Sequence, residues 1–186
     1  MRIVSGNWRG RRLRTPRGQA VRPTADRVRE AIFDILGGET EGARVLDLFA
    51  GTGALGLEAL SRGASSAVLV ESDPRIFAVL RRNVLDLGAV AAETLPMDCR
   101  AALRVLRGRG SRFDLVFLDP PYGKGIAERA AGDLAGAGLL ELGGTVVVEE
   151  AARTAVSLFP AAWEQTGDRR YGNTRVIIFT VGKEPV

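Results

Sequence analysis

The feature that most constrains the fold is a short apolar strand that runs directly into a glycine-rich turn. Residues 44–49 read Arg-Val-Leu-Asp-Leu-Phe, and residues 50–56 read Ala-Gly-Thr-Gly-Ala-Leu-Gly before a helical pattern begins. Glycines let a backbone approach a ligand closely, and the free N–H groups at a helix N-terminus attract polar ligand atoms. A strand, a glycine turn and a helix in this order are typical of nucleotide-binding α/β domains.

The same alternation of strand and helix continues along the chain. Strand patterns occupy 67–71, 91–95, 113–118 and 144–149, and helical patterns occupy 53–62, 74–87, 99–107 and 125–136. Two extended runs near the C-terminus, 163–170 and 174–181, are joined by Tyr171-Gly172-Asn173, which is typical of a hairpin. This order predicts an α/β fold, with a mainly parallel sheet that has helices on both faces and ends in antiparallel strands.

The N-terminal segment differs from the rest of the chain in its charge. Residues 1–30 hold nine arginines and two acidic residues, whereas the remainder is slightly acidic. We expect a small basic hairpin or arm over 1–22, followed by one domain over 23–186 that opens with a helix ending near Gly37. The clustered arginines favour a polyanionic partner. Trp8 either stacks on a base of that partner or anchors the arm to the body.

A second motif follows the strand at 113–118. It reads Asp119-Pro120-Pro121-Tyr122, and two consecutive prolines end a strand and stiffen its exit. The resulting corner offers a carboxylate, carbonyl oxygens and an aromatic face, which together suit a planar base with an exocyclic amino group. A simple proline turn capped by a tyrosine is the alternative interpretation.

Acidic residues lie near, at or just beyond the ends of several predicted strands. Because the carboxyl ends of parallel strands meet at one edge, we expect Asp47, Glu71, Asp98 and Asp119 to line one site. Glu71 is suited to accept hydrogen bonds from two ribose hydroxyls. Asp98 either accepts from the amino group of an adenine or caps the next helix, and the sequence leaves both open.

The glycines alone also match the fingerprint of nicotinamide enzymes, since Gly51, Gly53 and Gly56 have the required spacing. Asp47, just before the turn, would repel a pyrophosphate but attract the ammonium of an amino-acid ligand. The Pro-Pro corner has no task in hydride transfer. Together the motifs favour S-adenosylmethionine as the cofactor and the amino group of a base as the methyl acceptor.

Composition excludes several other classes. A chain of 186 residues with 46% hydrophobic content is expected to form one compact domain. With no histidine and Cys99 as the single cysteine, we expect no metal site, no internal disulfide and no nucleophile paired with histidine. We find no signal-peptide pattern and no apolar run long enough for a bilayer, so we expect a cytoplasmic protein.

Several segments resemble a known family. They are Ser5-Gly6, Trp8-Arg9-Gly10, Arg22-Pro23-Thr24, 26–33, 47–60 and 119–122. In these segments the chain resembles the class I S-adenosylmethionine-dependent methyltransferases, and within them the bacterial enzymes that methylate N2 of a guanine in 16S ribosomal RNA. The glycine segment and the Pro-Pro corner are typical of the superfamily, and residues 22–33 narrow the resemblance to the subgroup.

The resemblance implies a Rossmann-like sheet of seven strands with the last one antiparallel. It implies that the target amino group is held by Asp119, Pro120 and Tyr122. We expect 16S ribosomal RNA as the partner of a monomeric protein, within a small-subunit assembly particle, with naked ribosomal RNA as the open alternative. The residues expected to bind the cofactor are Asp47, Phe49, Gly51, Gly53, Glu71, Ser72, Asp98 and Cys99. The residues expected to bind RNA are Arg9, Arg11, Arg12, Arg22, Arg27 and Arg29.

Three residues depart from the pattern that the resemblance leads us to expect. They are Asp34, Cys99 and Asn173. Two other functions stay open at this point: methylation of another amino group, such as adenine N6 in DNA or a protein amide, and RNA binding without catalysis on a methyltransferase scaffold. Assays on RNA and duplex DNA separate the first alternative, and cofactor binding without turnover would indicate the second.

Overall fold

The computed structural model describes residues 1–16, 23–121, 125–153 and 159–182. Over these residues the chain alternates strands and helices around one sheet. The strands are β1 (Arg44–Asp47), β2 (Ser66–Val70), β3 (Ala92–Leu95), β4 (Phe113–Leu118), β5 (Leu140–Ala151), β6 (Trp163–Tyr171) and β7 (Thr174–Val181). The helices are α1 (Pro23–Leu36), α2 (Ala54–Ser61), α3 (Pro74–Leu87), α4 (Cys99–Gly108) and α5 (Ile126–Ala137).

The seven strands lie in the order β3-β2-β1-β4-β5-β7-β6. Neighbours from β3 to β5 pair in parallel, and β7 runs antiparallel to both β5 and β6. The β6–β7 connection is a tight hairpin in which Tyr171 pairs with Thr174 and Gly172 has φ of 60°. The predicted α/β class and the antiparallel last strand are therefore confirmed.

Two apolar layers cover the sheet. On β4, Leu115 and Phe117 pack into the layer that includes α1 and α2, whereas Val116 and Leu118 pack into the layer that includes α4 and α5. This alternation follows from the two-residue period of a strand. It also fixes which side chains share a face at the ends of the strands. None of the described helices is both long and apolar enough to cross a bilayer.

The N-terminal residues form the predicted hairpin, which packs on α2. Arg2 and Arg12 make an antiparallel bridge, and Ile3 is fully buried in the core. Trp8 is half-buried, and its backbone N–H donates to Ser61 Oγ at 2.9 Å. A side chain at Gly6 would place its Cβ 1.8 Å from the Ser61 carbonyl oxygen, so only glycine fits there. The geometry thus favours Trp8 as an anchor of the arm.

Candidate active site

The glycine turn adopts a conformation that suits glycine at two of its positions. Gly51 has φ of 55° and Gly53 has φ of 89°, and Gly53 is the residue that precedes α2. Gly56 lies within α2, where an added Cβ would come 2.1 Å from Leu69 Cδ2. The third glycine therefore lets the helix pack closely on β2, and the first two shape the loop at the rim of the sheet.

A cavity of about 360 Å³ opens beside this loop, at the carboxyl ends of β1, β2 and β3. Five of the predicted cofactor residues line it, namely Phe49, Glu71, Ser72, Asp98 and Cys99. Met97 and four residues of α5 also line the wall, and these were not predicted from the sequence. The α5 residues are Ile126, Arg129, Ala130 and Asp133. Nothing in the helical pattern of α5 indicated that its first turns would close this cavity.

Glu71 connects the glycine loop to the end of β2. Its Oε2 accepts from the Gly51 N–H at 3.1 Å, and its Oε1 accepts from the Asp73 N–H at 2.7 Å. A carboxylate has about four lone-pair sites, so each oxygen keeps capacity for another donor. Both oxygens can therefore accept from a ligand diol while they hold the loop in place.

Asp98 and Cys99 lie at the start of α4. The Asp98 Oδ1 accepts from the Ala101 N–H at 2.9 Å, so the prediction that Asp98 caps α4 is confirmed. Asp98 also lines the cavity, and its contact with an adenine stays a prediction. Burial raises the pKa of the Cys99 thiol to about 12, which keeps it neutral and poorly nucleophilic.

Among the described residues, no group of three or more acidic or cysteine side chains is placed to hold a metal ion.

Asp47 is buried beneath the glycine loop. Its Oδ2 accepts from the Gly56 N–H at 3.2 Å, whereas its Oδ1 has no hydrogen-bond partner in the described part of the chain. Burial, reinforced by the negative charge of Asp119, raises the pKa of Asp47 to about 7. A buried carboxylate oxygen without a partner is costly, and a cationic ligand group would satisfy it.

Asp119 lies at the end of β4, next to β1. The side chain is half-buried, and Pro120 behind it is buried. Burial, together with the negative charge of Glu150, raises the pKa of Asp119 to about 7. Asp119 is not part of the cavity wall described above, but it neighbours Asp47. Tyr122, predicted to stack on the base, lies outside the described residues.

Glu149 is an acidic residue near this site that the sequence reasoning missed. Leu118 of β4 is in register with Val148 of β5, so Glu149 occupies the position beside Asp119. Glu149 is half-buried, and burial together with the charges of Asp119 and Asp47 holds its pKa well above the usual range. The signal was available, since Glu149 ends its predicted strand, 144–149, just as Glu71 ends the predicted strand 67–71.

The predicted RNA-binding arginines do not share one environment. Arg9, Arg12 and Arg27 are exposed, and Arg11 is exposed while donating to the Asp86 carbonyl at 2.5 Å. Arg22 lies outside the described residues. Arg29 is only 3% exposed and donates to the Arg2 carbonyl at 2.7 Å and to Asp26 Oδ1 at 3.0 Å. Its guanidinium holds α1 to the arm and does not reach the surface, so the expectation that Arg29 contacts RNA does not fit the structure.

The fold places the protein in the class of Rossmann-like methyltransferases. The chain has the Rossmann-like architecture of methyltransferases and superposes on the Escherichia coli structure described as "Putative methyltransferase yhhF" with a TM-score of 0.86. The identity to that chain is 36%, and the match covers 97% of both chains.

Sequence comparison narrows this class. A family model described as "Conserved hypothetical protein 95" matches residues 1–180, and the chain belongs to this family. The chain is similar to ribosomal RNA small subunit methyltransferase D of Escherichia coli, with 39% identity over 88% of this chain and 81% of the relative. It is also similar to the "Putative rRNA methyltransferase YlbH" of Bacillus subtilis, with 41% identity over 66% of this chain and 67% of the relative.

Proposed function

We propose that the protein is an S-adenosylmethionine-dependent methyltransferase that methylates the N2 amino group of one guanine in 16S ribosomal RNA. In this proposal residues 1–22 are a basic RNA-binding arm and residues 23–186 are the catalytic domain. The protein acts as a cytoplasmic monomer on a small-subunit assembly particle. The observation that carries the proposal is the pairing of Asp47, whose buried Oδ1 lacks a partner, with Asp119 at the neighbouring strand end.

The residues around the cavity match the chemical groups of S-adenosylmethionine. Asp47 and the N–H groups of the glycine loop suit the amino-acid moiety, which carries both an ammonium and a carboxylate. Glu71 suits the ribose hydroxyls, and Phe49 and Asp98 suit an adenine that needs an apolar face and an acceptor for its amino group. When bound, the cofactor supplies an electrophilic methyl group on a sulfonium.

Asp119 and the Pro120 carbonyl would hold the target amino group. The lone pair of guanine N2 is delocalised into the ring, which makes it a weak nucleophile. Two acceptors on its two N–H bonds pull the nitrogen toward tetrahedral geometry and stabilise the positive charge that develops on it. The chain then needs only to orient the base in line with the methyl group. Asp119 or water takes the proton that N2 loses, so no histidine is required.

The relatives named as ribosomal RNA methyltransferases support RNA as the substrate, and so do the exposed Arg9, Arg12 and Arg27. A base in RNA must be unpaired or leave its stack to reach a site at the rim of a sheet. The arginines of the arm would bind the backbone that flanks such a base.

Mass-spectrometric mapping of 16S ribosomal RNA from a deletion strain tests the proposal. We expect one N2-methylguanosine to be missing, to return with the wild-type gene and to stay missing with Asp119→Ala. Purified Asp119→Ala should lose at least about 100-fold in turnover while keeping its affinity for S-adenosylhomocysteine. An unchanged 16S methylation pattern, or preferential methylation of duplex DNA by the purified protein, would contradict the proposal.

A further inference from the structure

Glu149 occupies a position for which packing provides no reason. Along β5 it follows Val146, Val147 and Val148, all fully buried apolar residues, and precedes Glu150, a second buried acidic residue; an apolar side chain at 149 would continue the valine run. Instead position 149 holds a carboxylate, which lies directly opposite Asp119 on the adjacent strand β5. Placing like charges side by side in a half-buried environment destabilises a fold. A residue that costs stability in this way is a candidate for function.

The alternation of side chains puts Glu149 on the functional face of the sheet. Asp47 is in register with Phe117, and Phe117 is in register with Val147. Asp119 and Glu149 lie two residues beyond Phe117 and Val147, so all three carboxylates share one face. The negative charges of Asp119 and Asp47 both act on Glu149, and the positive charge of the buried Arg29 of α1 acts on it in the opposite direction. Asp119 and Glu149 therefore lie side by side at the carboxyl ends of neighbouring strands. Their backbones are about 5 Å apart, which is the spacing of paired strands.

We propose that Glu149 reads the guanine by accepting a hydrogen bond from its N1–H while Asp119 accepts from the N2 amino group. This inference rests on the function proposed above and adds the residue that selects the base. The two neighbouring carboxylates match the two neighbouring donor groups on this edge of guanine. Glu149 then acts in specificity, and the methyl transfer itself uses Asp119 and the Pro120 carbonyl.

The chemistry of the purines makes this assignment selective. Guanine presents N1–H and N2–H donors side by side. Adenine carries a bare N1, an acceptor that a carboxylate repels, and it has no 2-amino group. The analogue 2,6-diaminopurine keeps the 2-amino group of guanine but has the bare N1 of adenine. A site that hydrogen-bonds a donor rejects an analogue that lacks it, because its own buried acceptor is left unpaired.

The test compares guanine with 2,6-diaminopurine at the methylated position of a ligated 16S ribosomal RNA, assembled into particles if the enzyme requires them. Because the raised pKa of Glu149 favours its protonated form, the comparison is made at mildly alkaline pH, where the side chain is an acceptor, and there we expect the wild type to favour guanine in kcat/KM by about 100-fold or more. Glu149→Gln replaces one acceptor oxygen with an N–H donor that suits the bare N1. This variant should therefore lower the guanine preference by at least about 10-fold, largely by gaining rate on 2,6-diaminopurine.

Glu141→Gln is the matched control, since Glu141 lies on the same strand at the opposite end of the sheet and pairs with Arg44 at 2.9 Å. It should keep the wild-type preference. Equal use of the two bases by the wild type overturns the inference without any variant. A folded Glu149→Gln enzyme with normal S-adenosylhomocysteine affinity and an unchanged preference also overturns it. If no guanine of 16S ribosomal RNA is methylated at all, the proposed function fails first, so the two failures are distinguishable.

Discussion

Asp47 combines two properties that rarely coexist in a side chain kept for stability alone. It is buried at 1% exposure, and one of its oxygens lacks a partner among the described residues. A carboxylate in such a place prefers to be protonated, which is why its pKa lies near 7 rather than near 4. A positively charged ligand group at Oδ1 would reverse this preference and bind strongly.

The change Asp47→Asn should therefore separate stability from binding. Because the pKa of Asp47 is raised in the folded state, its contribution to stability is present at low pH and is lost as the pH rises toward and through about 7. The asparagine removes this loss, so the ligand-free variant should be more stable than the wild type at pH 8, by about 2 kcal/mol, and similar to it near pH 4. Its affinity for S-adenosylmethionine should fall at least about 10-fold.

Urea unfolding across pH and calorimetric titration measure these two quantities. Asp34→Asn makes the same chemical change at an exposed position of α1 and should alter neither. A wild-type affinity for S-adenosylmethionine in Asp47→Asn would exclude a contact between Asp47 and the ligand.

At the residue scale, the strand-end rule predicted Asp47, Glu71 and Asp119 as site residues without a structure. It missed Glu149, although that residue ends a predicted strand in the same way as Glu71. Arg29 was misjudged for a different reason. It is spaced three and four residues from the buried Ile32 and Phe33, so it lies on the apolar face of α1. This spacing indicates the apolar face, but the positive charge of Arg29 led us to expect it on the polar side of the helix.

Helix α2 joins the arm to the body through the carboxylate of Glu58, in addition to the Trp8–Ser61 hydrogen bond described above. Glu58 is fully buried, and its carboxylate accepts from the Val4 N–H at 2.7 Å, the Ser5 N–H at 2.9 Å and Arg62 Nε at 2.9 Å. The arm thus forms part of the core, and its exposed arginines project from a backbone that is held in place by these hydrogen bonds. Asn83 of α3 adds a further link, since its side chain donates both to the Thr52 carbonyl and to the Arg14 carbonyl.

The change Glu58→Gln should loosen this connection. The amide has one acceptor oxygen in place of two and no charge, so at least one buried donor loses its partner. Breaking a buried charged pair costs about 3 kcal/mol. We expect lower stability in urea and faster hydrogen exchange of the Val4 and Ser5 amides, with little change in the exchange of β1. Glu93→Gln, which removes an exposed pair with Arg109, should change stability by less than about 0.5 kcal/mol. Unchanged exchange at Val4 and Ser5 would contradict this role.

At the element scale, the predicted strands and helices occur in the predicted order, and the errors lie at their ends. The helix predicted to begin at residue 53 begins at Ala54, because Gly53 has a left-handed backbone. Strand β5 begins at Leu140 rather than 144. Its first residue, Leu140, pairs with Phe113, a register shift follows before Leu115 pairs with Thr145, and Gly143 within this shift has φ of 78°. A glycine-rich sequence that pairs through an irregularity looks like a loop until its partner strand is known.

At the scale of the whole molecule, positive charge is divided between the two sides of the sheet. The arm carries the exposed Arg9 and Arg12 on the side of α2, whereas α4 carries the exposed Arg104 and Arg107 on the opposite side. The Arg9/Arg12 pair and the Arg104/Arg107 pair contribute equally to the net charge of the protein. If the arm binds the RNA backbone, however, only the arginines of the arm displace counterions from the RNA phosphates.

The double variants Arg9→Ala/Arg12→Ala and Arg104→Ala/Arg107→Ala test this division, because each removes two positive charges. Binding to a 16S ribosomal RNA fragment is measured from 50 to 300 mM salt. Each lost phosphate contact should reduce the slope of log K against log salt by about 0.7, so the arm variant should lose about 1.4 and bind more weakly at low salt. The α4 variant should keep the wild-type slope, because its arginines face away from the arm. Equal losses in the two variants would mean that RNA responds to net charge alone, and the arm would then have no special part in binding.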